Sequence, residues 1–212
     1  MKEREILQII LAIIILSLIV GFANFIKGNY FSLGAIILFS AVIIIVNVLG
    51  KKIMAHRLDA DIEHEIWQFQ RYGLKPKDHF KKSIPAGFIL PIILALFSLG
   101  KIKLMTILTF ETKALKRRAA RRFGTYSFTE MTDFHNALIG AAGIIFVLIA
   151  AFIGYWIPGF GELSRLAAFY AFSNMIPFSK LDGSQIFFGS RVLWATLAII
   201  VLIFMFYALL LI

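Results

Sequence analysis

Asn174-Met175-Ile176-Pro177-Phe178-Ser179-Lys180-Leu181-Asp182-Gly183 is the stretch on which the reading of this chain turns. It lies between two long apolar segments, and Asp182 is the only acidic residue after Glu162. An ionisable side chain at membrane depth is costly and marks a functional site by default. Pro177 breaks a helix at this point. Broken backbone survives in a membrane only where protein or a wet cavity covers it. The stretch therefore reads as the wall of a buried site inside a helical membrane protein.

Composition supports that class. The chain has 212 residues, is 60% hydrophobic and has a mean hydropathy of +0.86. Several apolar runs reach or approach the length that crosses a bilayer. The chain has no cysteine, so a disulfide framework and a thiolate metal site are excluded. A net charge of +10 would suggest nucleic acid for a soluble protein. In a membrane protein it points to basic loops facing the cytoplasm and its anionic lipids. Membrane lipids are thus expected partners, and nucleic acid is not.

Working outward, residues 6–25 form a first apolar segment. No small-residue cleavage site follows before Lys27, so the segment reads as a retained anchor. A second segment, 31–50, is expected to stop at Lys51 and Lys52. Residues 56–82 are polar. Within 60–70, Ile62, His64, Ile66 and Gln68 alternate with Asp61, Glu63, Glu65, Trp67 and Phe69. That period of two predicts a β-rich cytoplasmic insertion, with turns at 71–73 and 75–77.

Residues 84–110 are interrupted by Pro85 and Pro91 and carry Lys101 and Lys103. One straight crossing would set both lysines near membrane depth. A re-entrant pair places them better: a short helix to about Leu99, a turn, and a return through 104–110. It also keeps two basic runs, one within 51–82 and one at Lys113–Arg122, on one side. Further crossings are expected at 134–156, 163–178 and 192–212. The expected protein has about five transmembrane helices, one re-entrant element, a cytoplasmic N-terminus and an outside C-terminus in the cell membrane. Its parts are an anchor (1–30), a core (31–190, with the insertion 56–82 and a basic loop 111–133) and a C-terminal helix (191–212).

Asn174, Pro177, Leu181, Asp182 and Gly183 together resemble the NxxPxxxLDG motif of the site-2 proteases, the intramembrane zinc metalloproteases. The resemblance spans about residues 31–188. It implies a helical core, a cavity built around those five residues, and Asp182 as third zinc ligand. The family also carries HExxH on a membrane helix. Its two histidines share one helix face and hold the metal, and its glutamate activates the bound water. The better register sets that motif against Asn47-Val48-Leu49-Gly50-Lys51, which keeps none of the three functional residues. A second register uses His64-Glu65-Ile66-Trp67-Gln68 and keeps only the first histidine and the glutamate. The family's Gly-Pro-x-x-Asn pattern falls on Gly143-Ile144-Ile145-Phe146-Val147, which keeps only the glycine.

The resemblance therefore implies a degenerate member: a non-catalytic pseudoprotease, without cofactor, that binds membrane segments or partner proteins. One alternative is an active enzyme that holds zinc through Asp182 with His56 or His64. Another is a small-solute or ion pathway through the bundle. In the first reading Lys51 is expected to replace the lost metal by pairing with Asp182. The simpler expectation is that Lys51 snorkels to the interface while Asp182 caps a turn. Of the other ionisable groups, His79 and His135 read as solvated. Asp133 reads as an N-cap at the start of a membrane helix.

Overall fold

The computed structural model describes residues 3–26, 33–71, 79–115 and 131–210. Helices α1 (Glu3–Ile26) and α2 (Leu33–Arg57) pack against each other at the N-terminal side of the chain. Strands β1 (Ala60–Ile66), β2 (Phe69–Arg71) and β3 (His79–Ile84) follow, then helix α3 (Ala86–Phe97) and strand β4 (Leu108–Ala114). The second half is helical: α4 (Asp133–Trp156), α5 (Gly161–Met175), α6 (Asp182–Gly189) and α7 (Arg191–Leu210).

Among the described residues four helices are long and apolar enough to cross a membrane: α1, α2, α4 and α7. These fit an integral membrane protein. The expected fifth crossing is α5, which has only 15 residues. It rises about 22 Å, short of a hydrocarbon core of about 30 Å. It ends at Met175 because Pro177 follows two residues later. Its buried face instead packs between α4 and α7.

Helix α2 does not stop at the lysine pair as the sequence suggests. It runs a further turn and a half, to Arg57. Lys51 lies within it and is 1% exposed. A lysine ends an apolar helix only when its charge must reach water, and here the charge is met inside the protein.

The stretch 84–110 forms the expected reversal. Pro85 caps α3, and Pro91 sits inside it without ending it. The Gly100 N–H bonds back to the Ala95 carbonyl at 2.8 Å and closes the helix. The chain then returns in extended form, with Thr106, Ile107 and Leu108 buried, and enters β4. This return supplies the antiparallel partner of β1, from Ile66↔Leu108 to Ala60↔Ala114. The insertion is thus β-rich, but its main strand pairs outside it. Ala60, Ile62 and His64 face inward, as the period of two requires. Trp67 alternates with that set but is also buried, 2% exposed, because the strand ends at Ile66. The turns expected at 71–73 and 75–77 and the middle of the basic loop fall largely outside the described residues.

At the start of α4 the N-cap is Thr132, whose side chain accepts from the His135 N–H. Asp133 is the first helical residue rather than the cap. A threonine hydroxyl satisfies an orphan N–H as well as a carboxylate does, and Asp133 still favours the positive end of the helix. The main core joins α1, α2, α4, α5 and the return segment, centred on Ile15, Ile43, Ile144, Ala167 and Ile107. The outward faces of α1 and α7 are strongly exposed, for example Leu7 and Phe206. Apolar faces of that kind suit lipid rather than water.

Candidate functional site: a buried lysine–aspartate pair

The chain makes the site by breaking one helix and starting another. The loop Ile176–Lys180 is exposed, and backbone burial resumes at Leu181. Asp182 then opens α6, where free N–H groups favour negative charge. Gly183 is required by a close approach. A Cβ there would lie 2.2 Å from the Met175 carbonyl oxygen. That carbonyl is also held by the Trp194 indole N–H at 3.1 Å. Trp67 fastens the loop from the other side, donating its indole N–H to the Ser179 hydroxyl at 3.1 Å and meeting Phe178 edge to face.

The second helix supplies the counter-charge. Lys51 Nζ donates to Asp182 Oδ1 at 2.9 Å and lies 2.7 Å from Oδ2. The two side chains are 1% and 0% exposed. The ammonium also sits over the Phe110 ring, 4.9 Å from its centroid. Gly143 on α4 leaves room for this side chain, since a Cβ there would fall 2.7 Å from Lys51 Cε. Lys51 therefore does not snorkel. A charge this deep stays in place only with a partner of opposite sign.

A second polar cluster adjoins the first. His64 and Phe110 are cross-strand neighbours on β1 and β4. The His64 Nδ1 lies 3.0 Å from Glu5 Oε1, and Lys52 Nζ lies 2.8 Å from the same oxygen. Burial, then the charge of Lys51, push the His64 pKa down to about 4, against the opposing pull of Glu5. The ring is therefore neutral, with its Nδ1–H donating to Glu5. Its Nε2 is buried with no hydrogen-bond partner. The same holds for Ser40 Oγ and both amide atoms of Asn47.

The sequence-derived candidates divide accordingly. Asp182, Lys51 and His64 share one region, whereas Val48 faces the apolar core and His56 lies exposed in the last turn of α2. Asn174 bonds back to the Tyr170 carbonyl at 3.0 Å. The five motif residues do not line the polar cavity beside them. Asn174, Leu181, Asp182 and Gly183 are packed inside, and Pro177 is exposed. The cavity of about 560 Å³ lies one layer out, lined by Phe110, Glu111, Asn136, Lys180, Ser184 and Gln185 among others. Glu5 and Phe110 escaped the sequence reading. Nothing distinguishes Glu5 from Glu3 until α1 packs on β1.

Zinc does not fit these residues. Among the described residues no three His, Cys, Asp or Glu side chains gather to hold a metal. Asn47 and Lys51 of α2, an amide and an ammonium, both pack against Gly143, and both oxygens of Asp182 face the ammonium. The chain matches no family model, no curated protein and no solved structure.

Proposed function

We propose that this chain is a membrane-embedded, non-catalytic protein of site-2 protease type that binds membrane segments or partner proteins. The observation that carries the reading is the Lys51 ammonium seated on Asp182. A cation tied to the chain occupies the place that the motif reserves for zinc, so the carboxylate is neutralised without metal. The polar cavity beside β4 is the proposed binding place. β1 covers one edge of β4, and the other edge faces the cavity. Gln185 Nε2 already reaches across to the Phe110 carbonyl at 3.3 Å. An extended partner segment could take over such bonds by adding to that edge.

The enzyme reading needs Asp182 to release Lys51 and gather imidazoles. His64 is instead held by Glu5. The experiment is to purify the protein from membranes, measure its zinc, and place a photo-crosslinker at Thr112 in the cavity. Less than a tenth of an equivalent of zinc, together with crosslinks to partner chains, is expected. One tightly held equivalent that disappears in Asp182→Ala would reverse the assignment.

A second reading, a solute or ion pathway, is favoured by one observation. Ser40, Asn47 and Lys51 recur on one buried face of α2, and the first two carry unpartnered polar atoms. Such atoms call for internal water. Flux of small ions into proteoliposomes, abolished by Asn47→Leu, would favour that reading over the first.

A further inference from the structure

The open edge of β4 can be read residue by residue. The ladder to β1 is anchored at both ends. The Trp67 N–H donates to the Ile107 carbonyl at 2.8 Å, and the Leu115 N–H to the Asp59 carbonyl at 3.1 Å. In an antiparallel pair, opposed residues alternate between exchanging backbone bonds and turning them away. In this register Thr109, Glu111 and Lys113 bond to β1, and Phe110 and Thr112 turn their backbone groups to the far side. Two contacts agree with that phase. Gln185 Nε2 reaches the Phe110 carbonyl at 3.3 Å from the cavity side. On β1, the Ile66 N–H turns away from β4 to Gln8 Oε1 at 2.6 Å.

Gln185 thus stands where a neighbouring strand would lie. It divides its amide between the Phe110 and Lys180 carbonyls, both at 3.3 Å. Both bonds are longer than the usual range, so an incoming strand displaces them at small cost.

The charge of the same cavity is not balanced. Lys180 is matched by Glu111 at 3.1 Å. Asp133 also lines the cavity and is exposed, and among the described residues no cation lies within 4.0 Å of it. The positive end of α4 offsets only part of that charge. Phe188 is 76% exposed and gives the cavity an apolar wall. Asp133 opens α4, a helix long enough to cross a membrane, so the cavity sits at one end of a membrane helix. Segments that flank membrane helices on one side of the bilayer are enriched in Lys and Arg.

We propose that the β4 edge receives the basic flank of a partner's membrane helix as an added strand, with a Lys or Arg of that strand on Asp133. The proposal rests on the binding role given above and adds the chemistry that selects the occupant. Any extended segment gains the backbone bonds to Phe110 and Thr112. Only a cationic one also neutralises Asp133.

The test uses the full chain in detergent and three fluorescein-labelled peptides. Each is short, alternates threonine with valine, and carries arginine, glutamine or glutamate at its centre. Binding is read by anisotropy, and a photo-crosslinker at Thr112 reports the place. The arginine peptide should bind several-fold tighter than the glutamine peptide, the scale of an exposed ion pair. Asp133→Asn should erase that difference, and Asp133→Lys should turn it in favour of the glutamate peptide. Methylating alternate backbone nitrogens of the arginine peptide should abolish its binding. Equal binding of the arginine and glutamine peptides, or a preference that survives Asp133→Asn, overturns the charge selection and leaves the binding role standing. Failure of all three peptides to bind overturns both. So do crosslinks from Thr112 that run only within the chain or to a second copy, since the edge is then already covered.

Discussion

The Lys51 ammonium lies 2.7 Å from the Asp182 carboxylate, across 131 residues of sequence and without access to solvent. Among the described residues each charge is the other's only compensation of comparable strength. Removing one leaves the other buried and alone, which costs about 3–5 kcal/mol. Removing both in favour of apolar groups of similar volume is often neutral or better. Lys51→Met and Asp182→Leu should therefore each lower the unfolding midpoint sharply in detergent. The double variant should recover most of the loss. Additive losses in the double variant would show that the pair is not the unit of stability.

The pH dependence of stability should carry the signature of His64. Its pKa falls from 6.5 in the unfolded chain to about 4 in the fold. The unfolded state therefore binds more protons between these values, and stability rises with pH across that window. The contribution is complete above pH 6.5, falls as pH drops toward about 4, and is flat below. Its size is on the order of 3 kcal/mol. Equilibrium unfolding at a series of pH values should show this slope, and His64→Gln should remove it.

Two glycines should respond differently to alanine. A Cβ at Gly183 meets the Met175 backbone at 2.2 Å, and backbone does not yield. A Cβ at Gly143 meets Lys51 Cε at 2.7 Å and Cγ at 2.8 Å, atoms of a side chain, which can shift where backbone cannot. Gly183→Ala should cost about 3 kcal/mol, at the upper end for overpacking, and Gly143→Ala about 1 kcal/mol. Comparable losses at the two sites would contradict the close approach of α6 to the end of α5.

Trp67 should matter through its indole as well as its bulk. Trp67→Phe loses the bond to Ser179 but keeps the aromatic contact with Phe178, and should cost about 1 kcal/mol. Trp67→Ala should cost about 3–5 kcal/mol. Thermal unfolding separates the two. Hydrogen exchange at residues 176–181 should quicken in both, since this loop is what the tryptophan holds.

Glu5 should act as the fastening of α1. It receives Lys52 at 2.8 Å and His64 at 3.0 Å with 4% of its side chain exposed. Glu5→Gln keeps the size and loses the charge, leaving Lys52 without its carboxylate. A loss of about 1.5–3 kcal/mol is expected, the range for hydrogen bonds to charged groups. Urea unfolding of the purified protein would measure it.

The sequence by itself determined the membrane-spanning character, the positions of α4 and α7 within a residue or two, the reversal after α3 and the two-sided alternation of β1. These follow from local rules: run length, periodicity, and where proline stands. It also singled out Asp182 and offered Lys51 as its partner, one of two expectations. Only the tertiary structure decided between them. It carried α2 past its lysines to Arg57, shortened α5 to 15 residues, and brought β4 from beyond α3 to pair with β1. It also enclosed Glu5 and Phe110 beside His64 and Lys51. The physical reason is that the energy of a buried charge depends on what lies within a few ångströms of it. Chain order does not encode that distance when the partners are 131 residues apart.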